Sequence, residues 1–319
     1  ILIGTIACSL LGLMVQWMAF LIVFLIAKVG FSASLIFYDS MLSDITDEER
    51  MDYVSSQGYA WGYIGSCVPF VLCLVIVLGS DPLGIRMETA MGIAFVLVAV
   101  WWLLMSLPLL KNYEQKYYVE KKPHAIAQSF KRLGETFKNM KEEKQVFMFL
   151  LAFFFYIDGV YTIIDMATAY GSALGLDSTG LLLALLVTQI VAFPCAIIFG
   201  NLSYRIRTEK LIIVCIFAYL GIAIFAVFLK TQLQFWILAI LVGMFQGGIQ
   251  ALSRSYFTKI IPEEHSGEYF GLMDICGKGA SFVGTTIVSI VSQLTGNISM
   301  GVGMIAILFC IGIVIFLKA

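Results

Sequence analysis

Stretches of about twenty residues with scarcely a charge recur along this chain, and that recurrence decides most of what it can fold into. An α-helix rises about 1.5 Å per residue, so roughly 20 apolar residues cross a hydrocarbon core of about 30 Å. Ten stretches fit: 1–15, 18–41, 58–79, 90–110, 146–169, 181–203, 211–229, 233–257, 268–293 and 298–317. With 60% apolar and 13% charged residues, the chain lacks the polar surface of a soluble domain. It reads as an all-α, multi-pass integral membrane protein.

The same composition removes several classes of function. The seven cysteines sit singly in apolar stretches, with no metal-ligand spacing, and read as small packing residues. The two histidines, His124 and His265, lie among charges, so a metal site or histidine relay lacks its parts. No nucleophile constellation points to an enzyme, no motif to a cofactor, and a net charge of −1 gives no surface for nucleic acid.

Orientation follows from the basic residues. Placing 42–57, 111–145, 204–210, the end of the eighth span with 258–267, and the C-terminus in the cytoplasm puts every Lys and Arg but Lys28, Arg86, Lys230 and Lys278 on that side. The one long polar break, 111–145, divides the chain into an N-terminal bundle, 1–110, and a C-terminal six-helix bundle, 146–319. Within the break Ile126, Phe130, Leu133, Phe137 and Met140 recur at helical spacing, the pattern of a helix lying on the cytoplasmic face.

Charges inside the spans are confined to four of them: Lys28 and Asp39; Asp158 and Asp165; Arg254; and Glu268, Asp274 and Lys278. Charge in a bilayer is costly, so such residues are expected to face a cavity or a partner. By helical rise, Asp158 lies about 18 Å from the cytoplasmic side, and Lys28, Gln246 and Lys278 also fall near mid-depth, at about 15 to 18 Å. Asp158, Thr162 and Asp165 share a helix face, Gln246, Gln250 and Arg254 form a second stripe, and Asp274 with Lys278 is an i, i+4 pair. Gly58 with Gly62, Gly243 with Gly247, and Gly267 with Gly271 have the spacing of closely packed helices.

Specific strings then add a resemblance. FYDSMLSDITDEERMDYVSSQGYAWGYIGS (37–66), DGVYTIIDMATAYG (158–171), LLVTQIVAFPCAIIFGNLSYRI (185–206) and FQGGIQALSRSYFTKIIPEEHSGEYFGLMDICGKGASFVG (245–284) resemble the major facilitator family that contains the autophagy-related vacuolar amino-acid effluxer and bacterial homologues. The resemblance implies a major facilitator fold of two six-helix bundles. Because the chain opens at Ile1 inside an apolar run, about two helices are expected to precede it. The charged spans would then be the fourth, seventh, tenth and eleventh of twelve, and the first, fourth, seventh and tenth line the cavity in that fold. One departure is Tyr204, which stands where the superfamily's gating loop usually has an acid.

The expected function is alternating access by a secondary transporter for a small solute, an amino acid or a relative, coupled to protons. Lys28, Asp158, Thr162, Asp165, Gln246, Gln250, Asp274 and Lys278 are the candidate pathway residues. Lys28 or Lys278 would draw a carboxylate, Gln246 and Gln250 would supply hydrogen bonds, and Asp158 would carry a proton or bind an ammonium. Asp39, Asp44, Arg50, Arg205, Arg254 and Glu268 are the candidate gating residues. A monomer in a bacterial cytoplasmic membrane, C-terminus inside, completes the reading. The alternative is a receptor or scaffold that keeps the fold and moves nothing.

Overall fold

The computed structural model describes residues 1–82, 84–117, 134 and 143–318. The helix expected over 126–140 lies outside the described residues. Elsewhere the elements are helical: α1 Leu2–Leu10, α2 Trp17–Ser40, α3 Leu42–Ile45, α4 Met51–Leu78, α5 Met87–Asn112, α6 Lys144–Ala173, α7 Ser178–Leu202, α8 Thr208–Val227, α9 Gln232–Ile260, α10 Ser266–Thr295, α11 Ile298–Gly303 and α12 Ile305–Phe316. Among the described residues nine segments are long and apolar enough to cross a membrane, with α11 and α12 forming one of them. The tenth expected span, 1–15, yields a nine-residue helix and a 3-10 turn, Leu11–Leu13. A helix satisfies its own main-chain donors and acceptors, which is why an apolar run in lipid takes this form.

The helix ends follow local chemistry. Asp177 caps α7 by accepting from the Gly180 N–H at 2.6 Å, and Thr231 with Gln234 closes a capping box at the start of α9. Gly296, at φ 66°, stops α10 in the left-handed conformation that glycine tolerates.

Alternating helix direction brings the ends of α2, α5, α7, α9 and α12 and the starts of α4, α6, α8 and α10 to one face, which carries most of the described Lys and Arg and is called the basic face below. The largest core cluster runs from Val146 to Phe316, drawing on α6 to α12. There Tyr156, Tyr219, Phe149 and Phe309 are fully enclosed. By contrast α1, α2 and α5 turn large apolar side chains outward, among them Trp17, Phe37 and Met105.

Two of the three glycine pairs behave differently from their spacing. Gly243 and Gly247 lie against α7, where any added methyl would meet the Thr188 and Ala192 carbonyls and the Ala196 side chain. Gly58 faces Tyr38 and Arg254, whereas Gly62, Gly267 and Gly271 have open space beside them.

The start of α4 is a correction to the expected span of 58–79. The helix begins seven residues earlier, at Met51, and Asp52, Ser55 and Ser56 are buried within it. Their polarity suggests a loop in sequence, but in the fold it serves a helix–helix joint. The packing predicts that Gly247→Val is destabilising by about 1–3 kcal/mol through overpacking, while Gly62→Ala is close to neutral; thermal unfolding of the purified protein in detergent measures both.

Candidate functional site

A cavity of about 850 Å³ lies between α2, α4, α6, α9 and α10. Of the expected pathway residues, Lys28, Asp165, Gln250, Asp274 and Lys278 line it, together with Asp39 and Arg254 from the expected gate. Aromatic rings form much of the remaining wall: Phe31, Tyr38, Tyr59, Phe153, Tyr161 and Phe270. Asp274 and Lys278 pair with each other along α10, and Asp39 pairs with Arg254. Lys28 has no ion-pair partner among the described residues, its ammonium lying 6.0 Å from the Phe31 ring. Among the described residues Asp165 accepts only from the Ser281 hydroxyl, at 3.0 Å. The cavity thus holds, among the described residues, two closed ion pairs and two open charges of opposite sign.

The remaining pathway candidates lie elsewhere. Asp158 and Thr162 are fully buried between α6 and α10, so Asp158 does not line the cavity. Its Oδ1 accepts from the Gly284 main-chain N–H at 3.0 Å and from the Thr162 hydroxyl at 3.2 Å. Its Oδ2 is buried with no hydrogen-bond partner among the described residues. Gly284 makes the contact possible, since a side chain there would occupy the place of the carboxylate. Gln246 borders a gap of about 50 Å³ between α6, α7 and α9. Asp158 and Asp165 share a face, yet what that face meets changes along the helix.

Toward the basic face the cavity ends in a polar clasp built around Arg254, which is only 4% exposed. Its Nη1 donates to Asp39 at 3.0 Å, its Nε to the Ser55 hydroxyl at 2.9 Å and its Nη2 to the Ser55 carbonyl at 3.0 Å. The Tyr38 and Tyr59 rings flank the guanidinium at 5.0 and 4.8 Å, a favourable placing for a cation. Gly58 leaves the room this needs. The Ser55 hydroxyl donates onward to the Ala251 carbonyl at 2.7 Å, and Tyr63 donates to Gln250 at 2.6 Å. One guanidinium therefore joins α2, α4 and α9.

A second tier centres on Asp52 of α4. It accepts from Thr208 of α8 at 2.6 Å and from Ser255 and Lys259 of α9 at 2.6 and 2.8 Å. Ser55, Asp52, Thr208 and Lys259 were not among the expected gating residues. The polar residues of MDYVSSQ at i and i+3 are the one signal that could have marked them.

The other gating candidates play different parts. Asp44 is buried and accepts from the Tyr113 hydroxyl and from the Lys116 and Tyr117 N–H groups at 3.2 and 3.1 Å, fixing the chain as it leaves α5. Burial, with Asp44 beside it, pushes the Tyr113 hydroxyl above its ordinary range. Arg50 and Arg205 are exposed on the basic face, and Glu268 approaches His265 at 3.8 Å. The Tyr204 ring lies 5.9 Å from that of Tyr53 of α4, tilted by 38°, so an aromatic contact stands where the superfamily's gating loop usually has an acid.

The family described as vacuole effluxer Atg22 like matches residues 1–318. The chain is 45% identical over 302 residues to the uncharacterized MFS-type transporter YxiO of Bacillus subtilis (strain 168), covering 94% of this chain and 71% of that protein. It is 25% identical to autophagy-related protein 22 of Botryotinia fuckeliana, covering 85% of this chain and 50% of that protein, so it spans about half the length of this fungal relative. Its fold matches FucP, a major facilitator transporter solved in the outward conformation, with a TM-score of 0.69 at 14% identity over 99% of this chain and 80% of that one. A bacterial homologue of the iron transporter ferroportin, in an outward-facing state, matches at a TM-score of 0.64 and 15% identity over 99% of this chain and 81% of that one. The all-α membrane architecture is the major facilitator fold, and the chain belongs to the vacuole effluxer Atg22-like family of major facilitator transporters.

Proposed function

We propose that the protein is a secondary transporter that moves a small zwitterionic solute, an amino acid or close relative, by alternating access, with protons as the coupling ion. Its basic face lies in the cytoplasm, in keeping with the positive-inside rule, and the membrane is the bacterial cytoplasmic membrane. In this orientation the clasp of Arg254 and Asp52 closes the cytoplasmic side of the cavity. The observation that carries the reading is the pair of open charges, Lys28 and Asp165, on walls contributed by α2 and α6.

The volume, about 850 Å³, falls in the range of small-molecule sites, roughly 300–1,000 Å³. Two closed ion pairs add no net charge, so the cavity as a whole favours a solute that brings one charge of each sign. Lys28 would take the carboxylate and Asp165 the ammonium, while the aromatic wall accommodates an apolar side chain. Lys28 and Asp39 lie eleven residues apart on α2, or about 16 Å by helical rise. Recruitment at Lys28 is therefore well separated from the clasp.

Two outcomes follow. Lys28→Gln and Asp165→Asn each raise the apparent KM for a zwitterionic amino acid about tenfold in proteoliposomes, or about 1.4 kcal/mol; unchanged KM in both variants would refute the assignment. Arg254→Gln removes one partner of a buried ion pair, a loss of about 3–5 kcal/mol in such settings, and opens the cytoplasmic side. A cysteine placed by Ser56→Cys, buried in the parent, then reacts several-fold faster with an impermeant maleimide in inside-out vesicles.

A further inference from the structure

We propose that Asp39 is the site at which the coupling proton binds, and that taking the proton releases Arg254 and opens the cytoplasmic clasp. The inference rests on the transporter reading above and adds to it the place of the ion. Asp158 is the other candidate carboxyl, but it is shut between α6 and α10 and touches neither the cavity nor the clasp.

Asp39 differs in three respects. Its side chain is 28% exposed and lines the cavity, so water can deliver a proton to it. Its carboxylate faces Arg254 across the joint between α2 and α9. Among the described residues it is also the one charged acceptor of Arg254, the others being neutral oxygens of Ser55 and the Tyr38 hydroxyl. A guanidinium this deeply buried needs an opposite charge beside it. When the Asp39 carboxylate takes a proton, Arg254 is left buried without a counterion, and the arrangement that holds α2, α4 and α9 together is no longer favoured.

The neighbours of Asp39 fit that role. Tyr38 is on its own helix, Tyr59 comes from α4, Tyr161 from α6, Arg254 from α9, and Asp274 with Lys278 from α10. The Asp274–Lys278 pair is already neutral as a unit, so Asp39 and Arg254 form the balance that a single proton upsets. With the solute carboxylate at Lys28, well apart from the clasp, proton and solute occupy separate places on one cavity. The sign is fixed: acidification loosens the clasp.

The test needs no knowledge of the solute. In the full-length protein carrying Ser56→Cys, impermeant maleimide labelling from the cytoplasmic side is followed from pH 8 to pH 5.5, corrected for the same protein with Ser56 intact, which carries the native cysteines, and expressed at each pH relative to the unfolded sample, so that the fall in thiolate with pH cancels. Labelling is expected to speed up several-fold as pH falls in the parent, to be fast and independent of pH in Asp39→Asn, and to keep the parental profile in Asp158→Asn. A parental pH profile in Asp39→Asn, or a profile abolished by Asp158→Asn instead, overturns the proposal. Exchange of each of the twenty radiolabelled L-amino acids on the same preparations separates the two readings. Exchange with labelling that ignores pH removes the proton site alone, and pH-responsive labelling with no exchange leaves the site but removes the amino-acid reading.

Discussion

A fully charged guanidinium buried where three helices meet is the constraint around which this molecule is arranged. Arg254 has to be neutralised and hydrogen-bonded on every side, and α2, α4 and α9 each give something to that end: Asp39, Ser55 and the helix that carries the arginine itself. Tyr38 and Tyr59 cover its faces, and Gly58 is small because the guanidinium and the Tyr38 hydroxyl occupy the adjoining space. A joint built on charge has a property that an apolar joint lacks. It is stable while the charges match and fails when one of them changes, which suits a contact that has to open and close.

The rest of the architecture divides into parts that stay together and parts able to separate. Within α6 to α12 a continuous apolar core and the glycine contacts of α9 with α7 hold the helices at close range. Between this half and α4, a small apolar cluster of Ala60, Tyr63, Ala192 and Ala196 gives way toward the basic face to hydrogen bonds and ion pairs in two tiers, around Arg254, which also reaches α2, and around Asp52. The cavity lies where the apolar core gives way to that polar joint. Asp39 and Arg254 form its end, and Lys28 and Asp165 remain open on its walls.

Much of this was legible in the sequence, for a physical reason. Lipid forces every spanning segment to be long and apolar, so the spans stand out, and the basic residues gather on one set of loops. The strings around 37–66 and 245–284 carried the family resemblance, and both contribute directly to the clasp. What was not legible depends on partners from other helices. Asp158 has the depth of a cavity residue, but Gly284 lies opposite and buries it. Asp52 and Ser55 look like loop residues until α8 and α9 supply their partners. Gly62 and Gly271 have the spacing of contact glycines, and nothing approaches them.

The central claim is that the clasp is one state of a joint with two. Pulsed electron–electron resonance between spin labels at the basic-face ends of α4 and α9, on the full-length protein in lipid nanodiscs, tests it most directly. The account predicts a short distance as the main population at neutral pH and a second, longer one that gains weight when Arg254 is replaced by Gln. A single distance distribution, unchanged by that substitution and by pH, would contradict it.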